Sequence, residues 1–197
     1  MEDKNMIKVT VDGVEYAYPY GTPYRAIAAD FQGRTPYDIL LVNRDGKLCE
    51  LHKVLDRDCS LKMVTAQDRP GIQTYERSAV FLMLKAFYDV AGRENVERIS
   101  VEYSLSSALF ILARGNFTLD QALLDRVEAR MREMSAAALP IEKRSLNTDD
   151  AMELFRREGL VHKAQLLSFR VNSHVNVYEL DGFVDYFYGY MVPDTSY

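Results

Sequence analysis

Arg77-Ser78-Ala79-Val80-Phe81 sets a guanidinium and a phenyl ring four residues apart, so on a helix both share one face. Arg77 suits either an anion, such as a phosphate or carboxylate, or an ordinary surface ion pair; it is always protonated and offers no lone pair. Ser78 has no histidine at hand to take its proton, and an unactivated hydroxyl is a weak nucleophile. Near the end of the chain, Tyr186, Tyr188 and Tyr190 alternate with Phe187 and Gly189, and a regular strand turns all three phenols to one face. Such a row can stack a nucleobase and bond a ribose, or it can form a protein interface. His52, His162 and His174 fall on different predicted elements without ligand spacing and read as surface or hydrogen-bonded histidines. Gly46-Lys47 is the only Gly-Lys pair; it is followed by Leu48 and lacks the earlier glycine of a phosphate-binding loop, so it reads as a turn.

These groups need a scaffold, and the apolar pattern supplies one. Ile7, Val9 and Val11, then Asp12-Gly13, then Val14, Tyr16 and Tyr18 predict a hairpin. Thr22 and Pro23 predict a capped helix start before Ile27, Ala28 and Phe31. Ile39 to Val42 and Leu61 to Thr65 read as strands, with Leu48 between them. Helical spacing at Val80, Leu84, Phe87 and Tyr88, with Phe81 on the adjoining face, predicts a helix from about residue 75 to Val90. Ile99 to Tyr103 and Ala108 to Ala113 are strand-like. Thr118 and Gln121 have capping-box spacing ahead of Leu123, Val127, Met131 and Met134. Thr148 is expected to cap a helix holding Met152 and Phe155; strands follow at Val175 to Leu180 and at Phe183 to Tyr188, joined by Asp181-Gly182.

With 197 residues, 48% hydrophobic and 27% charged, the chain can form one large or two small domains. It has no membrane-spanning stretch, and its first five residues lack the features of a signal peptide, so a cytoplasmic location is expected. In that compartment Cys49 and Cys59 are expected as free thiols. A net charge of −5 argues against broad affinity for nucleic acid, though not against a local basic patch. Glu142-Lys143-Arg144 is the candidate for such a patch, or else a solvated loop or edge strand.

Two stretches carry a resemblance. Thr65-Ala66-Gln67-Asp68-Arg69-Pro70-Gly71, running into Arg77 to Phe81, and Asp185 through Gly189 to Val192-Pro193 resemble the N-terminal half of threonyl-tRNA synthetase. There a TGS domain leads through T-A-x-D-x-x-G into an editing domain with H-S-x-A-H and D-x-C-x-G-x-H-V-P. On that pattern Arg77 and Phe81 stand in place of two histidines, Phe187 in place of cysteine and Met191 in place of a third histidine. Ser78 is retained. The substituted set cannot hold Zn²⁺, because Arg and Phe offer no lone pair and Met only a soft thioether. The resemblance implies an α+β fold: a β-grasp TGS domain over residues 1–68, then a degenerate editing-like domain, of the threonyl and alanyl synthetase type, over 69–197. Phe81, Phe187 and Met191 then either floor a base-stacking pocket or fill the former cavity.

Asp185 to Pro193, preceded by Asn172 to Tyr178, also resembles the N-terminal region of bacterial uridine kinase-like nucleoside kinases. That resemblance implies a non-catalytic regulatory or ligand-binding region whose partner is a C-terminal P-loop kinase domain outside this chain. ATP and Mg²⁺ would serve that domain only; no cofactor is expected here. The alternatives are a tRNA-binding or trans-editing module, with a nucleotide or tRNA as ligand, and a structural dimerisation module that forms a homo-oligomer.

Overall fold

The computed structural model describes residues 6–106, 108–169 and 173–197. The five N-terminal residues and Asn172, used above, lie outside them. The fold is mixed α+β, with ten strands and five α-helices among the described residues. No described helix is long and apolar enough to cross a membrane.

The first unit is a five-stranded sheet with one helix. Strands β1 (Met6–Val11), β2 (Val14–Pro19), β3 (Ile39–Arg44), β4 (Lys47–Glu50) and β5 (Cys59–Thr65) lie in the order β2-β1-β5-β3-β4. The central β1–β5 pair is parallel and the others antiparallel. Asp12-Gly13 and Asp45-Gly46 close two-residue hairpins with positive φ at both residues, the backbone that matches strand twist. Helix α1 (Tyr24–Gln32) buries Tyr24, Ile27, Ala28 and Phe31 against the sheet. Pro23 is its N-cap, and Thr22 does not cap it; the Thr22 hydroxyl donates back to the Pro19 carbonyl at 2.7 Å. Cys49 is buried, Cys59 partly so, and both are free thiols.

Helix α2 (Arg69–Ala91) starts six residues before the predicted onset. Asp68 explains the early start: its carboxylate takes the Thr65 backbone N–H at 2.8 Å and the Thr65 hydroxyl at 3.2 Å, folding the chain into a turn. Pro70 then occupies the first helical turn, where a missing N–H costs nothing. A Cβ on Gly71 would stand 1.9 Å from the Thr65 carbonyl oxygen, so only glycine lets the helix leave the sheet this closely.

The second unit packs α2 and α3 (Gln121–Ala136) beside a sheet in the order β10-β9-β8, formed by β8 (Glu142–Asn147), β9 (His174–Leu180) and β10 (Phe183–Tyr186). Strands β6 (Val96–Leu105) and β7 (Ala108–Gly115) form a separate two-stranded hairpin. Helices α4 (Thr148–Arg157) and α5 (Val161–Ser168) complete the unit. Two predicted caps move. Asp120, not Thr118, caps α3 by accepting from Leu123 N at 2.8 Å, and Asn147, not Thr148, caps α4 by accepting from Asp149 N at 3.0 Å. In both cases the residue just before the helix supplies the acceptor. Leu40 of β3 belongs to the core of this second unit, with Phe81, Phe87 and Val177, while Ile39 and Val42 of the same strand belong to that of the first.

Candidate functional site

Helix α2 presents Arg77, Ser78 and Phe81 to the segment that follows β10, and these three meet Phe187 and Met191 there. Arg77 Nη1 donates to the Tyr190 carbonyl at 2.7 Å. Gly189, at φ +117°, lies directly beneath the guanidinium, where a Cβ would stand 2.6 Å from its central carbon. The Ser78 hydroxyl lies 2.8 Å from the Thr74 carbonyl it donates to, accepts from Val192 N at 3.0 Å, and sits 3.4 Å from Met191 Sδ. Phe81 is 0% exposed; Phe187 packs against it edge-on at 5.4 Å, and Phe183 at 5.7 Å. Met191 is 2% exposed.

The four substituted positions therefore converge, but as a packed wall. Arg77 and Phe187 alone among them line open space: a groove of about 360 Å³ between α2 and the β6–β7 hairpin, shared with Gln73, Glu76, Val80 and Leu109. Ser78 faces a different cavity, of about 490 Å³, between α2, α3 and the end of the chain. Among the described residues no group of three His, Cys, Asp or Glu side chains is arranged to hold a metal ion, and the donors at the four positions do not suit one.

The tyrosine row does not form. The β10 ladder ends at Tyr186, paired with Val177, and the backbone turns at Gly189 to reach α2. Tyr188 is 83% exposed, while Tyr186 and Tyr190 are half-buried. Glu142-Lys143-Arg144 lies on edge strand β8, where Lys143 pairs with Glu50 and Arg144 with Glu179, so these cations are already matched.

Glu50 and Tyr178 are central to the site, and nothing in the local pattern singles them out. Glu50, 1% exposed at the end of β4, accepts from Lys143 at 2.8 Å, from the Tyr178 hydroxyl at 2.8 Å and from Met191 N at 3.1 Å. The Tyr178 hydroxyl also lies 2.7 Å from the Gly189 carbonyl. Burial, and then the Glu50 carboxylate, hold that phenol far above its ordinary value, so it stays a donor. The first unit thus fixes the backbone on which Arg77 rests.

The buried Asp185 carboxylate accepts from Tyr186 N and from Lys163, and its Oδ2 has no hydrogen-bond partner among the described residues. His162, on the same helix as Lys163, is held below its ordinary value by burial first, then by Lys163 and Arg98, against the pull of Asp185. His52 is lowered mainly by burial too. Between the folded and unfolded values the unfolded chain binds more protons, so this contribution is complete above ~6.5 and is lost as pH falls. The thermal midpoint is expected to drop from about pH 7 to about pH 5, with a shallower drop in His162→Gln; equal slopes in the two proteins would remove His162 from this account.

No family model matches the chain. It is distantly similar to threonine–tRNA ligases. Identity is 25% over 186 residues with the ligase of Halorhodospira halophila, covering 94% of this chain, and 27% over 194 residues with that of Thermotoga neapolitana, covering 96%. The Thermotoga maritima ligase is 26% identical over the same length. The chain spans 29% of the length of each of these relatives, and the similarity falls on their N-terminal TGS and editing region.

Proposed function

We propose that this chain is a tRNA-binding module without hydrolytic chemistry, formed by a β-grasp TGS unit and an editing-type unit whose reactive positions have been filled. One observation carries the reading: similarity to threonine–tRNA ligases runs along nearly the whole chain, yet Phe81 and Met191 are buried where polar groups would be needed. Ser78, the retained residue, spends its hydroxyl tying α2 to Val192. The groove keeps two features that suit an unpaired RNA end: the half-buried Phe187 ring for stacking a base, and the Arg77 guanidinium for a phosphate. The overall negative charge confines such binding to this locality. A cytoplasmic location accords with this role.

A second reading rests on the resemblance of the closing segment to uridine kinase-like proteins. In it the chain is the regulatory region of a nucleoside kinase, and the ligand is a pyrimidine nucleotide. Its support is mechanical: residues 189–194 are held at once by Arg25, Glu50, Arg77 and Ser78, so a ligand beside Phe187 would pull on both units.

Thermal-shift and anisotropy titrations against uncharged tRNA, threonine and pyrimidine nucleotides separate the two. Saturable binding of uncharged tRNA, weakened about tenfold in Arg77→Ala, is expected. Stabilisation by a pyrimidine nucleotide with silence towards tRNA would replace the first reading by the second. Turnover of mischarged tRNA by this chain would overturn the non-hydrolytic part of both.

A further inference from the structure

The first unit holds a cavity of about 370 Å³, sharing no lining residue with the Arg77 groove, between the start of α1, the β3–β4 hairpin and the segment after β4. On a chain of net charge −5, its lining gathers Arg44, Lys47, Lys53 and His52 around a single carboxylate, Asp56. The frame beneath them is rigid. Arg44 and Lys47 are directly opposite each other across the Asp45-Gly46 turn. Lys53 is fixed by its own N–H to the Glu50 carbonyl at 3.1 Å and by Tyr24 N to its carbonyl at 2.8 Å, and Val54 bridges to Pro23.

Like charges facing each other across two strands destabilise a hairpin; Asp56 offsets this on the Arg44 side, at Nη1, and an anion between Arg44 and Lys47 would offset the rest. Arg44 is built to receive one. Its side chain is 16% exposed, and Nη1 is anchored by donating to the Tyr24 hydroxyl at 2.8 Å and to Asp56 at 2.7 Å. Its remaining N–H groups have no partner among the described residues, leaving one edge of the fork open, the geometry that matches phosphate oxygens. Lys47 and Lys53 are exposed at the rim.

We propose that this cavity binds the phosphoryl groups of a small ligand, a diphosphate held by the anchored Arg44 fork and closed over by Lys47 and Lys53. Its volume of about 370 Å³ admits a diphosphate with part of a nucleoside. The source is either inorganic pyrophosphate or a nucleoside diphosphate, which share this chemistry.

Calorimetric titration of the chain with inorganic pyrophosphate, and separately with uridine diphosphate, tests it. Saturable pyrophosphate binding is expected, at least about tenfold weaker in the double variant Lys47→Ala/Lys53→Ala and unaltered in Arg77→Ala. Both lysines are exposed and Lys47 opposes Arg44, so the double variant should unfold at or slightly above the wild-type thermal midpoint, which is measured alongside. Uridine diphosphate binding about tenfold tighter than pyrophosphate assigns the site to a nucleotide, and equal affinities assign it to free phosphate groups. The proposal is overturned if millimolar pyrophosphate gives no saturable heat, or if the double variant binds it as the wild type does. Either result leaves the Arg77 groove reading untouched, because the two sites share no residue.

Discussion

Glu50→Ala is expected to destabilise the chain by about 3 kcal/mol, the largest effect of any substitution outside the apolar core. Breaking a buried ion pair from one side typically costs about 3–5 kcal/mol, because the surviving charge has lost its partner. Lys143 keeps 16% side-chain exposure and can reach some water, which places this case at the lower end. The same change removes the acceptor of Met191 N and one of the two acceptors around the Tyr178 hydroxyl. For a domain of this size the loss corresponds to a thermal midpoint lower by roughly 6–12 °C. Glu50→Gln, which keeps an oxygen for Tyr178 and for Met191 N, should fall between the variant and the wild type. A Glu50→Ala midpoint within about 2 °C of wild type would show that the junction between the units does not rest on this carboxylate. The double variant with Lys143→Ala gives the coupling directly, and the two effects should be far from additive.

Phe81→His should cost about 3 kcal/mol and bring no hydrolytic activity. The ring it replaces is fully buried between Phe183 and Phe187, so the smaller imidazole leaves a void. Its N–H is also buried without an acceptor, since the surroundings are aromatic and aliphatic. Arg77→His, by contrast, sits at the groove edge; it gives up one bond to the Tyr190 carbonyl and should cost about 1 kcal/mol. Urea unfolding of the two single variants and of the pair, with a deacylation assay, checks both claims. If Phe81→His unfolds at the wild-type urea concentration, the site is an open pocket that tolerates polar groups, and the reading of a filled cavity fails.

Some features were legible in the order of residues because their causes are local. Asp12-Gly13 and Asp181-Gly182 turn as expected, since positive φ at both positions suits these residue types and little else. The faces of α2 and α3 follow from helical spacing, apart from Val80 and Met131, which are only half-buried. Other features failed for equally local reasons. The three threonines expected as caps were displaced by competing groups: the Pro19 carbonyl for Thr22, Asp120 for Thr118 and Asn147 for Thr148. The tyrosine row assumed a strand that ends at Tyr186, because the backbone must turn at Gly189 to bring Tyr190 and Val192 to α2.

By itself the sequence determined the chemistry that the four converging positions lack. Side-chain type alone says that Arg77, Phe81, Phe187 and Met191 supply no proton relay and no ligand set for Zn²⁺. Tertiary structure decided what those positions do instead, and it brought together groups that no periodicity connects. Glu50 meets Tyr178 across 128 residues and Met191 across 141, and Arg77 meets Tyr190 across 113. A helical or strand period reports which face a residue occupies relative to near neighbours. It carries no information on which distant face closes over it, and that is where a buried carboxylate, a saturated serine hydroxyl and an arginine lying flat on a glycine acquire their roles.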